Sequence, residues 1–328
     1  DPQVRARMAN ATLLQVDEAA IAAFRAVGGG RLSIPDADGG SVDLDLEPLD
    51  ILAEGATVTY TDDTGRHAFQ PDVSLYKGHV AGEPTSWVVM SMGASGVLGT
   101  VERGGMRWTL SPTQRMSTTA PGGLGVHAFA PEGSLAEAAS RFECGINADN
   151  EQRYTFHGGD PSDLESGLTA RPEATEINGL RFDFNVAVDC DYEIYSVKFG
   201  GDLNAATSYI LTVLGTVNLI YERDLEATLK FPYVNLWTTV ADPYFATNTT
   251  DELVEFQAYW DANMGSVTRN VAHLISGRGL GGGIAWISAI CGGAPGYGLS
   301  AIDAAYAYPT ATTTWDIEVI AHELGHNF

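Results

Sequence analysis

The chain has 328 residues, an ordinary apolar content of 45%, and 42 acidic against 18 basic side chains, a formal charge of −24. This length allows two domains with separate cores, and no window approaches the ~20 unbroken apolar residues of a membrane span. The acidic excess is even, with 18 acids and 6 bases in residues 175–328 giving −12, and it speaks against nucleic acid or an anionic membrane as partner.

In chain order, residues 1–30 read as a helical lead-in, rich in alanine and stopped at Gly28-Gly29-Gly30. From Leu32 to about Leu110 short alternating segments follow, divided by Gly, Pro and Asp. Val42-Asp43-Leu44-Asp45-Leu46 has the period of two expected of a half-exposed strand. Thr57 to Tyr60, Ser86 to Met92, Gly96 to Val101 and Met106 to Leu110 continue the series. Residues 1–110 therefore form a β-rich domain. Residues 111–178, rich in Gly, Ser, Thr, Pro and Ala, read as a linker.

Residues 179–328 change character. Leu180 to Lys198 alternates and reads as a strand, and 203–225 carries helical periodicity with Asp202 as its cap. Thr228 to Thr239 is a strand and 251–264 a helix capped by Thr250 or Asp251. Asn270 to Ser276 and Gly283 to Ile290 are strands, with Gly298 to Ile302 a further one. The order β-α-β-α-β-β-(β)-α gives a mixed α+β or α/β sheet with helices.

The last helix carries the chemistry. Ile317, Ile320, Ala321, Leu324 and Phe328 form one apolar face, and Thr313 with Asp316 reads as a cap and its acidic partner. On that helix stands His322-Glu323-Leu324-Gly325-His326-Asn327-Phe328, an HExxH motif. Histidines at i and i+4 share a helix face, so His322 and His326 can both bind one metal ion. Zinc suits such nitrogen ligands, and Glu323 beside it is the natural general base for a water molecule. Cys144, Cys190 and Cys291 make an odd set, with Cys190–Cys291 the expected disulfide and one thiol left over.

These elements, ending on this motif, resemble the catalytic domain of metzincin zinc proteases, and most of all the reprolysin (adamalysin-like) branch, whose helix reads HELGHN. Leu219-Ile220-Tyr221-Glu222-Arg223-Asp224-Leu225 and Val234-Asn235-Leu236-Trp237 look like bacterial members of that branch. In the N-terminal half, Tyr76-Lys77-Gly78-His79-Val80-Ala81-Gly82-Glu83-Pro84 with Ser86 is similar to the YxGHVxGxPxS segment of reprolysin propeptides.

The resemblance implies a zinc-dependent metalloendopeptidase made as a zymogen and secreted, with its own propeptide as intramolecular inhibitor and proteins or peptides as substrates. It implies one catalytic zinc held by His322, His326 and a third histidine that would follow Phe328, as would the methionine turn, so that the chain would hold only the first part of the catalytic domain. Arg141-Phe142-Glu143-Cys144-Gly145-Ile146 is similar to a propeptide cysteine switch, in which Cys144 would be a zinc ligand; an ordinary thiol is the other reading. Substrate would add as a strand along Gly282, Gly283, Ile284 and Ala285, although these glycines also suit a flexible turn. Two other functions remain open: a gluzincin-type zinc peptidase with a distant glutamate ligand, and a non-catalytic adhesive or inhibitory module with an incomplete zinc site.

Overall fold

A computed structural model describes residues 10–36, 39–114, 124–131, 143–145, 182–290, 296–309 and 313–328. Two eight-stranded sheets dominate. The first contains β1 (Thr12–Gln15), β2 (Gly30–Pro35), β3 (Ser41–Pro48), β6 (Val73–Val80), β7 (Glu83–Gly93), β8 (Gly96–Arg103), β9 (Met106–Pro112) and β10 (Val126–Pro131). All its pairings are antiparallel, in the order β1-β10-β9-β8-β7-β6-β3-β2.

Alternation decides which way its residues face. Val88, Met90 and Met92 of β7 pack with Leu44, Tyr76 and Phe129 in an outer core, covered by Ile21 and Phe24 of helix α1 (Glu18–Val27). Their neighbours Trp87 and Val89 point into a second core on the opposite face. At the tight β6–β7 turn, Ser86 Oγ donates to Glu83 O and accepts from Val80 N, which gives the serine of the YxGHVxGxPxS string a structural part.

The second sheet runs β11-β15-β16-β14-β12-β13-β4-β5. Its strands are β4 (Leu52–Asp62), β5 (Gly65–Ala68), β11 (Glu143–Cys144), β12 (Phe182–Cys190), β13 (Ala227–Trp237), β14 (Val271–Ser276), β15 (Gly282–Ala285) and β16 (Gly296–Ala301). β4, β13, β12, β14 and β16 are mutually parallel, and β15 runs antiparallel to β16. Helix α2 (Leu203–Asp224) and helix α4 (Thr313–Asn327) cover one face, with helix α3 (Thr249–Asn263) on the other. The molecule is thus a mixed α+β fold, with α2 packed between the two sheets. By length and composition α2 could cross a membrane, but 78% of its apolar window is buried inside the protein, as befits a core helix.

Several elements differ from the sequence reading. The lead-in contains strand β1 before α1, whose cap is the Asp17 carboxylate. The stretch assigned to a linker contributes β10 to the first sheet and β11 to the second, because Ala128, Phe129 and Ala130 are buried side chains among the small and polar residues that mask them. β4 and β5 leave the N-terminal half to join the second sheet, a pairing between distant segments that local pattern cannot reveal. The strand read over Leu180 to Lys198 is observed from Phe182 to Cys190 only, and a one-turn π-helix follows at Ile194–Lys198. Helix α3 is capped by Asn248 rather than by Thr250 or Asp251, and the strand read over 283–290 stops at Ala285. Cys190 is a free thiol in the core beside Val186 and Val188, where it behaves as a small apolar group; Cys291, its expected disulfide partner, lies outside the described residues.

Candidate active site

Helix α4 brings the motif together. Its apolar face, Ile317, Val319, Ile320 and Leu324, is buried against α2 and the sheet. Asp316 is fully buried, accepting from Tyr209 Oη (2.5 Å), Asp303 N (2.9 Å) and Ala304 N (2.9 Å). Its part is therefore to tie the loop after β16 to the start of α4, rather than to form a capping box with Thr313. At the other end, Ser288 N and Ile290 N donate to the His326 and Asn327 carbonyls, and Asn327 Nδ2 donates to Trp286 O (2.7 Å). Helix-end carbonyls left without intrahelical partners are satisfied by the segment after β15, which fixes the helix relative to that strand. Phe328 closes the end by packing on Phe184 and Tyr221.

On this rigid support His322 and His326 stand with ring centroids 4.6 Å apart and ring planes at 84°. His322 is exposed and His326 half-buried, and burial lowers both pKa values, which favours the neutral imidazole that a metal needs. Glu323 turns inward and is fully buried, with no hydrogen-bond partner on either carboxylate oxygen. Burial pushes its pKa up to about 9. Gly283 of β15 makes room for it, since a Cβ there would collide with the Glu323 side chain and lie 2.6 Å from Leu299 O.

Cys144 comes to the same place from far away in sequence. Glu143 and Cys144 pair in parallel with Gly282 and Gly283, and Gly145 N donates to Gly283 O at 2.8 Å. Any side chain at 145 would crowd Ile284 Cβ (2.9 Å) and Gly283 O (3.0 Å), so glycine allows the close approach. Cys144 Sγ thereby lies 3.2 Å from His326 Nε2. Ligand atoms of Cys144, His322, Glu323 and His326 all fall within 4.8 Å of one another.

The structure thus gathers four sequence-chosen residues, and Gly282–Ala285 beside them, at one point. Cys190 stands apart in the core. Sequence reasoning gave no part to Asn327 or Tyr221, yet Asn327 anchors the helix end and Tyr221 Oη donates to Ala321 O (2.8 Å). A polar residue at the buried end of a motif helix was the available signal for Asn327.

Residues 207–328 match the family model of the reprolysin-like metallopeptidases, family M12B. No curated protein matches the chain. Among solved structures, the chain is similar to metalloproteinase-II from Bacteroides fragilis at 12% identity and a TM-score of 0.46, over 94% of this chain and 83% of that one. A chain in the structure of a chaperone–substrate complex is similar at 18% identity and a TM-score of 0.33, over 45% of this chain and 24% of that one. With the HExxH helix built as described, residues 207–328 are similar in sequence to the reprolysin-like metallopeptidases of family M12B.

Proposed function

We propose that the protein is a zinc-dependent endopeptidase made in a latent form, with Glu323 as general base and Cys144 as the group that keeps it latent. The observation that carries this reading is the cluster of Cys144, His322, Glu323 and His326, gathered by two segments 182 residues apart. Two nitrogens and a sulfur suit zinc. The orphaned Glu323 carboxylate supports the same ion, because a buried carboxylate without partners is costly unless a cation compensates it.

His322 and His326 would hold the zinc through their ring nitrogens. When bound, the metal supplies a Lewis acid that polarises a peptide carbonyl and acidifies water. Glu323 then takes the proton of the attacking water on a carboxylate oxygen and passes it to the leaving amine. β15 would hold an extended substrate by main-chain hydrogen bonds on the side now taken by Glu143 to Gly145, so substrate and latency segment compete for one edge. Gly283 keeps that edge close to Glu323.

The test is Glu323→Gln in the full-length protein, with casein as substrate and zinc measured by elemental analysis. Hydrolysis is expected to fall by about 10²–10⁴-fold while zinc stays bound. Unchanged hydrolysis, or a wild-type protein that takes up no zinc, would sink the reading.

A further inference from the structure

Two segments of the N-terminal half reach the second sheet, and they are held very differently. Glu143 and Cys144 pair with only two residues of β15. β4, by contrast, lies parallel to β13 from Leu52↔Phe231 to Thr61↔Trp237, with Phe231 N donating to Ile51 O and Thr238 N to Thr61 O. Side chains lock this pairing. Thr59 Oγ1 and Thr61 Oγ1 both donate to Asn235 Oδ1 at 2.9 Å, and Asn235 Nδ2 donates onward to Asp189 Oδ1, all of them buried. Removing β4 would leave the buried Asn235 carbonyl without its partners and bare the edge of a central strand.

The first sheet is equally committed. Leu49, Ile51, Trp87 and Val89 belong to the same continuous core as Val213, Leu214 and Val217 of α2. Gly215 of α2 sits so close that a Cβ there would lie 3.2 Å from Leu49 Cδ2. Lys77 pairs with Glu222 at 3.0 Å and Asn204 Oδ1 accepts from Asp72 N at the rim of the contact. Without this cover α2 would present an apolar face to water.

We propose that residues 10–131 are a permanent subunit of the peptidase-family unit, which keeps them through β4 and the shared core after the chain between the two parts is cut. Only the short Cys144 segment is built to leave. The inference rests on the sheet and core, and holds whether or not the active-site reading does.

The experiment places the recognition sequence of a site-specific protease between residues 150 and 178 of the full chain, cuts it, and follows both fragments by size-exclusion chromatography. A one-to-one complex is expected, and the same complex with Cys144→Ala added. Thr59→Val with Thr61→Val should speed dissociation of the cut complex by about tenfold or more, since two hydrogen bonds to a buried carbonyl are lost. Separate peaks for the two fragments would overturn the proposal, as would precipitation of the C-terminal fragment with the N-terminal one left in solution. Co-elution that disappears with Cys144→Ala would overturn it too, because the latency contact would then be the bond.

Discussion

Glu323 and Gly283 depend on each other. The carboxylate occupies the space that a Cβ at position 283 would fill, and the opposite side of that space is the Leu299 carbonyl, which belongs to a central hydrogen-bonded strand and cannot move aside. Gly283→Ala is therefore expected to cost about 1–3 kcal/mol and to displace Glu323, lowering activity together with the urea midpoint. At Cys144 the expected effect is opposite in sign. Its sulfur is 3.2 Å from His326 Nε2, so Cys144→Ala should raise the activity of the uncut protein towards that of the cut one, at unchanged kcat once both are cut. Equal activity of the uncut variant and the uncut wild type would make Cys144 an ordinary thiol.

At the scale of elements, α4 is held at both ends by parts of the chain that flank β15 and β16. Asp316 ties its start to the loop after β16, and Asn327 ties its end to Trp286 O and Tyr297 O. The two histidines of the motif, which would hold zinc under the proposed function, are thus fixed relative to the strand that would carry substrate, a geometry that catalysis needs to a fraction of an ångström. Asn327→Ala removes two hydrogen bonds to main-chain carbonyls, of which the one to Tyr297 O is buried, and is expected to destabilise the protein by about 1–3 kcal/mol. Zinc affinity should fall with it, because His326 is the preceding residue; a competition titration with a chelator reads this. The HExxH helix itself is legible in the sequence, since its apolar stripe and i, i+4 histidines are local features. Its anchors are not, since Trp286, Tyr297, Asp303 and Tyr209 are met only in three dimensions.

For the whole molecule, buried acids set the pH dependence of stability. Burial pushes Asp316 and Asp242 up to about 7 and Glu252 to about 8, the last offset in part by Arg278. Unfolded, these groups ionise near 4. Between those values the folded protein holds protons that the unfolded chain releases, so stability is lost as pH rises from about 4 through 8. The thermal midpoint of the metal-free protein is expected to be higher at pH 5 than at pH 8; an equal or rising midpoint would mean that these carboxyls are ionised in the folded state.

Local pattern alone determined the order of elements after Leu180, the HExxH motif on its helix and the alternating strands of the N-terminal half, because period, capping and turn chemistry act within a few residues. Gly283, chosen only for possible backbone approach of a substrate, has a role the sequence does not contain: it leaves room for the buried side chain of Glu323. Tertiary structure alone decided that β10 belongs to the first sheet, that β4 and β5 complete the second, that Cys190 stays a core thiol, and that Cys144 reaches His326. Each of these is a contact between segments far apart in the chain, where the hydrogen-bonding needs of a strand edge or a buried side chain choose the partner, and no local signal names it.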